Sequence, residues 1–427
     1  MRISLPSGAL WKHAGFMRLW AAQTVSSFGA RIAREGLGLA SVLTIDAKPF
    51  QLGILAALAM GPGVIVGFFS GGYVDRSGKR SIMVAADLIR AAALITVPIA
   101  AWMHWLTMEQ LYLVAVLIGS MSVLFDIADH AYLPHLIDRE HLIEGNTKLS
   151  STDSLAEVGG PPLAGILVQL LTAPFAIAIN AATYLVSALF LGAITAQEHP
   201  TASRQKRVTL LSDLRLGYEA MSHNALLRPL MIMSFLSPLF GGTFSALYVI
   251  YVIKTLGLTP ALMGITVGVG GIGSLLGTAI SAPLVRQVGV GKTILLGFLI
   301  SAVSSIFVPL ANGPLALKVA SLMVAQLVGD SMAVAAMIPA ASLRQSIIPR
   351  DMLGRTAALM SVGSGASAVI GALVGGTLGS TLGPRWALYA SVVGLIATPL
   401  TAFVSPLWRL REIPALEPKT PARPLEE

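Results

Sequence analysis

The chain has no cysteine in 427 residues. Disulfides, thiolate metal sites and cysteine nucleophiles are thereby excluded. Charge is the second scarcity. Only 12% of residues are Asp, Glu, Lys or Arg, against about 25% in a soluble domain. So low a charge content excludes a cytosolic enzyme, a disordered chain and a nucleic-acid binder, in spite of the net charge of +8. No G-x-x-x-x-G-K-[ST] loop occurs, and Gly289-Val290-Gly291-Lys292 lacks its upstream glycine, so nothing points to an ATPase. The seven histidines have no ligand spacing, so no metal site and no cofactor are expected. No Ser/His/Asp grouping at one depth supports catalysis, and no enzyme is expected. The N-terminus lacks the basic, apolar and small-residue order of a signal peptide and reads as a short cytoplasmic lead-in.

What is present is apolar. The hydrophobic set makes up 55% of the chain. A membrane helix needs about 20 apolar residues, and twelve of them use roughly 250. The runs are too long and continuous for the short alternating strands of a membrane β-barrel. Twelve apolar segments are predicted at 17–45, 50–74, 81–103, 110–133, 152–171, 174–196, 229–253, 260–285, 292–311, 314–341, 356–380 and 385–407. With both ends inside, 22 of the 29 Lys and Arg fall on the cytoplasmic side and four outside, a strong positive-inside bias. Trp11 and Trp20 suit the membrane interface.

The longest connection, 197–228, starts basic and continues with Leu210, Leu214, Tyr218 and Met221 at helical spacing. It predicts an amphipathic helix lying on the inner leaflet. The tail 408–427 is proline-rich and expected to be disordered. The remaining stretches, 1–196 and 229–407, match at an offset of 211 residues. Gly53 pairs with Gly264, Gly78 with Gly289, Arg139 with Arg350, Leu142 with Leu353, and Gly160 and Gly165 with Gly371 and Gly376. Arg18 pairs with Arg228 at offset 210. The shared offset predicts two duplicated six-helix halves, with a binding site between them near the bilayer midplane.

Two motifs stand out. The first is Gly71-x-x-x-Asp75-Arg76-x-Gly78-Lys79-Arg80, between segments 2 and 3. Gly78 permits a tight turn, Asp75 can accept from a helix N-terminus, and the cations can anchor the loop at the inner surface. The bland reading is an ordinary basic loop. The second is Gly160-Pro161-x-x-Ala164-Gly165 in segment 5. Its prolines remove backbone donors and bend the helix, and its small residues admit a neighbouring helix. The bland reading is generic packing.

With these motifs the chain resembles the major facilitator superfamily, an all-α fold of twelve transmembrane helices in two pseudo-symmetric halves. The resemblance implies that the first motif is a conformational latch, with Asp75 facing the start of segment 11 near Arg355 and Thr356. In the second copy Arg286 stands where Asp75 would align, so that latch is degenerate. The second motif resembles the one associated with drug:proton antiporters, with Ala164 replacing a glycine. Residues 16–32, 124–149 and Gln345 to Arg355 are similar to the macrolide-efflux and enterobactin-exporter branch. The chain departs from that branch at Ala30, where it usually has Asp.

Ionisable residues inside the segments are costly and usually functional. Arg31 and Glu35 are spaced i,i+4 and can pair, either as a cavity pair or as a structural one with Arg34 snorkelling. Asp87, Arg90, Asp126 and Asp129 are expected to form an inner-gate charge network, the alternative being direct substrate or proton binding. Asp153 and Glu157 read as compensation of the helix dipole at the start of segment 5. Asp330 stands alone at mid-depth, with Gln326 one turn before it. Desolvation penalises its charge, which suits a proton carrier; the alternative is a carboxyl bonded to segment 4 or 11. By the resemblance, segments 1, 4, 7 and 10 line the cavity, which makes Gln23, Ser27, Arg31, Met121, Phe125, Phe235, Phe240 and Met332 candidate substrate contacts. Each is alternatively ordinary packing.

The expected protein is a proton-driven exporter of a hydrophobic or amphipathic small molecule, working by alternating access as a monomer in the cytoplasmic membrane. Its partners are then the substrate and the membrane lipids. An importer or uniporter, and a non-transporting scaffold or receptor, are the alternatives.

Overall fold

The computed structural model describes residues 8–195 and 210–414, with the side chains of 9, 67–76 and 210–211 outside that description. Each predicted apolar segment is helical, the ninth (292–311) as two helices. In order they are α1 (Ala14–Leu43), α2 (Pro49–Arg76), α3 (Lys79–Trp102), α4 (Met108–Leu136), α5 (Leu142–Leu171) and α6 (Ala173–Gly192). After the linker helix α7 (Leu210–Ser222) come α8 (Leu227–Ile250, extended by a π-turn Tyr251–Thr255), α9 (Pro260–Val288), α10 (Val290–Ser304) and the short α11 (Phe307–Leu310). The last are α12 (Leu315–Ile347), α13 (Leu353–Thr381) and α14 (Pro384–Leu400).

Among the described residues ten helices are long and apolar enough to cross a membrane. The other two of the twelve segments are α1, which carries Arg31, Arg34 and Glu35 within one stretch, and α14, which at 17 residues is short. The basic part of the linker (197–209) and the tail from 415 lie outside the described residues.

Local chemistry sets the helix ends. Proline occupies the first position of α2, α9 and α14, where its missing N–H costs nothing. The side chains of His13, Thr107 and Thr259 cap α1, α4 and α9. Gly289 ends α9 at φ 91°, a conformation that favours glycine. Its counterpart Gly78 has φ −64°, so the turn before α3 does not require a glycine. Segment 5 begins ten residues earlier than predicted because Leu142–Ser151, although polar, continues the helix. Its hydroxyls donate back to carbonyls one turn earlier, as Thr147 does to Ile143 (2.7 Å) and Ser151 to Thr147 (2.7 Å). Segment 12 ends earlier, at Leu400, just after Pro399.

The 211-residue offset reappears in the helix boundaries. α2 and α9 start at Pro49 and Pro260, α3 and α10 at Lys79 and Val290, α5 and α13 at Leu142 and Leu353, and α6 and α14 at Ala173 and Pro384. We call α1–α6 the N-half and α8–α14 the C-half.

At one end a single apolar cluster joins the halves, bringing Leu37, Leu94 and Met108 together with Leu247, Tyr251 and Leu388. At the other, basic end the clusters separate. Phe16, Met83 and Tyr132 belong to one, and Met231, Ile294 and Leu407 to the other. The molecule is sealed at the far end and parted at the basic end.

The linker helix α7 packs on the C-half rather than lying free. Gly217 sits against the Arg355 carbonyl at the start of α13, where even a methyl group would approach within 2.8 Å. Met221 is buried, whereas Tyr218 of the predicted apolar stripe is exposed. The buried face is turned by about one position because Gly217 is what allows the close approach. Asp213 accepts from Arg355 Nε at 2.8 Å. This pair is about one-third exposed on each side, so it contributes about 0.5–1 kcal/mol. Asp213→Ala is therefore expected to raise hydrogen–deuterium exchange threefold to fivefold within 210–222, and nowhere else. Unchanged exchange there would show that the pair does not hold α7.

Candidate functional site

The sealed end is built from two helix crossings, α2 on α13 and α5 on α9, and both are made by the duplicated glycines. A methyl group on Gly53 would come within 2.8 Å of Gly376 Cα, and one on Gly264 within 3.2 Å of Gly165 Cα. Below these, Val158 of α5 packs into Gly271 of α9, where a methyl group would lie 2.8 Å from Val158 Cα. The antiporter-type motif is thus a seam between halves. Pro161 and Gly165 face Gly264, Ala164 is fully buried, and Gly160 carries the Cβ and Cγ of Arg31.

On α5 the residue next to Val158 toward the basic end is Glu157. Glu157 pairs with Arg31 of α1 at 3.6 Å, with side-chain exposures of 48% and 25%. Across the seam, the Asp330 carboxylate of α12 fills the space left by Gly270 of α9, so a side chain at 270 would collide with it. Glu157, next to Val158, and Asp330, seated on Gly270 next to Gly271, therefore flank the same contact between halves, with Arg31 paired to Glu157. Arg34 lies one turn from Gly38, which packs on Val249 of α8. Arg34 is exposed.

This geometry corrects the sequence reading at several points. Among the described residues no ion pair joins Arg31 to Glu35; seating on Gly160 directs Arg31 to α5 instead. Glu157 and Asp153 are mid-helix residues of α5, not dipole-compensating ends. Asp153 accepts from Ser27 Oγ at 2.6 Å, and Gln23 donates to Asp129. Asp126 and Asp153 are exposed and Asp129 is half-buried. Asp126, Asp129 and Asp153 thus make the N-half lining acidic.

Arg90 is held inside the N-half. It pairs with Asp87 on its own helix, both buried, and lies between the rings of Phe125 (4.6 Å) and Tyr184 (4.2 Å). Phe125 therefore walls this pair, only 6% exposed, and does not line the open cavity. The Phe240 ring lies against Gly394 of α14, inside the C-half. Phe235 packs on Gly363, and Met121 rests against the N-half cluster. Met332 is half-buried, with its carbonyl at Gly297 of α10.

In the latch motif, the backbone of Gly71, Asp75 and Arg76 closes α2, and their side chains lie outside the described set. Lys79 is buried rather than at the surface. Arg80 donates to the Leu191 carbonyl at 2.8 Å and to the Gly192 carbonyl, and Arg18 to the Ala193 carbonyl at 2.5 Å. Two cations thus cap the end of α6. The partner of Arg355 is Asp213, and Thr356 is buried. Among the described residues no His/Asp/Glu cluster has metal-binding geometry.

Residues 19–344 and 230–426 match the Major Facilitator Superfamily. The uncharacterized MFS-type transporter YfiS of Bacillus subtilis (strain 168) is 26% identical over 278 residues, covering 62% of this chain and 63% of that protein. The chain thus spans less than two thirds of that relative. The uncharacterized MFS-type transporter y4rN of Sinorhizobium fredii is 27% identical, over 63% and 67%. In fold, the chain is similar to the nucleoside transporter NupG, with TM-score 0.72, 13% identity and coverage of 91% and 98%. It is also similar to a bacterial homologue of the iron transporter ferroportin in its inward-facing state, with TM-score 0.69, 18% identity and the same coverage.

Proposed function

The chain belongs to the Major Facilitator Superfamily and is a multi-pass membrane transporter, and from that premise we propose that it exports an amphipathic small molecule in exchange for protons. The observation that carries this reading is the placing of Glu157, paired with Arg31, and Asp330 on either side of the Val158–Gly271 contact between halves. Carboxylates from opposite halves thus flank the seam that must part when the other face opens. Loading a proton on either one weakens their mutual repulsion and changes which partner Arg31 prefers. That ties a proton to the choice of facing state. The acidic lining of Asp126, Asp129 and Asp153 favours a substrate carrying positive charge. The cation-rich end faces the cytoplasm, so the cavity is open to the inside.

Asp330→Asn and Glu157→Gln are each expected to lower proton-driven uptake of ethidium into everted vesicles at least tenfold while leaving ethidium binding within twofold. Full exchange in both variants would remove these carboxylates from coupling. Loss of dye resistance on deletion of the gene supports export, whereas lower accumulation of dye on deletion would indicate import.

A further inference from the structure

At the sealed end each half closes the other with the same bond. α2 and α9 both begin with proline, so the next residue supplies the first free backbone donor of each helix. Such first-turn amides have no carbonyl partner within their own helix. Here their acceptors come from the opposite half. Phe50 N of α2 donates to Ser380 Oγ of α13 at 3.0 Å. Ala261 N of α9 donates to Gln169 Oε1 of α5 at 3.3 Å.

The two bonds are copies of one another. Phe50 and Ala261 are 211 residues apart, and so are Gln169 and Ser380. The donors sit three residues before Gly53 and Gly264, and the acceptors four residues after Gly165 and Gly376, where the seams are tightest. Duplication has preserved the bond while changing the acceptor from a hydroxyl to an amide. Ser380 donates its own proton to the Gly376 carbonyl at 3.0 Å, which leaves a lone pair for Phe50. The third polar link at this end, Asp46 with Lys254, has no such copy; the positions at the same offset are Gly257 and Leu43.

We infer that Ser380 and Gln169 are positioning residues of the transport cycle, two symmetric caps that hold the far face shut and release the N-termini of α2 and α9 together when it opens. This rests on the alternating-access reading above. Neutral bonds at a wet edge suit that role, because water replaces them on opening and each biases the state without trapping it.

The chain has no cysteine, so a single reporter thiol is unambiguous. Ala57 is buried between the halves beside Ala246 and Ala372. With Ala57→Cys in purified detergent-solubilised protein, the rate of maleimide labelling reads opening of the seam. Ser380→Ala and Gln169→Ala should each speed labelling about fivefold, and the pair together about 25-fold. Ser380→Thr and Gln169→Glu keep an acceptor and should label near the parent rate. Gly53→Leu, which wedges the same seam, serves as the open reference. Fast labelling in the wedge with parent rates in both alanine variants overturns the caps but leaves alternating access standing. Slow labelling in the wedge itself overturns the reading on which the caps rest.

Discussion

Gly264→Leu is expected to reduce transport about 100-fold in a protein that still folds and inserts. Position 264 faces the Pro161 carbonyl and Gly165 Cα of the opposite half. Neither is a side-chain tip that can swing away. Overpacking a close-packed contact costs about 1–3 kcal/mol where side chains can adjust, and backbone opposite backbone puts this site at the upper end. About 3 kcal/mol against the sealed state is a factor of about 100 in its population. Each half keeps its own core, so the loss falls on the conformational equilibrium. Initial-rate flux checks this, with thermal unfolding of the same preparation. Parental flux would show that the seam is not part of the cycle.

The second large effect concerns stability. Asp87→Ala leaves the Arg90 guanidinium, 3% exposed, without its carboxylate inside the N-half. Breaking a buried pair from one side costs about 3–5 kcal/mol, whereas replacing both partners by apolar residues of similar size is often neutral. The single variant should therefore unfold at markedly lower temperature, and Asp87→Leu with Arg90→Met should recover most of the loss. The double variant is also expected to transport. Recovered stability without flux would return Arg90 to a gating role; no recovery would contradict the assignment of a self-contained pair.

Much of the fold was legible because hydropathy and duplication are written along the chain. The twelve apolar runs are helical, the ninth as two helices, and of the glycines matched at offset 211, Gly53, Gly165, Gly264 and Gly376 lie at the contacts between halves. Boundaries were less legible where polar sequence stays helical. The first ten residues of α5 look like a loop by hydropathy, because serine and threonine hydroxyls that bond back to the helix carry no apolar signal. That misplacement put Glu157 at a helix end and hid its role. A signal existed: Glu157 lies one turn before Gly160-Pro161, on the way down the same helix. Pairing was the least legible feature. Spacing suggested Arg31 with Glu35 and left Arg90 open to Asp126. The choice instead depends on which helix a side chain is seated against, and Gly160 and the rings of Phe125 and Tyr184 decide it.

The central claim is that the two ends of the inter-half cavity open in alternation. Ser151 of α5 and Thr278 of α9 each lie seven residues beyond the contact of Val158 on Gly271, toward the basic end, and both are exposed. Spin labels at Ser151→Cys and Thr278→Cys report that opening in a chain with no other thiol. Adding Gly264→Leu, which forces the far end apart, should shift the label distances to a shorter population. An unchanged distance distribution with the wedge in place would contradict the account.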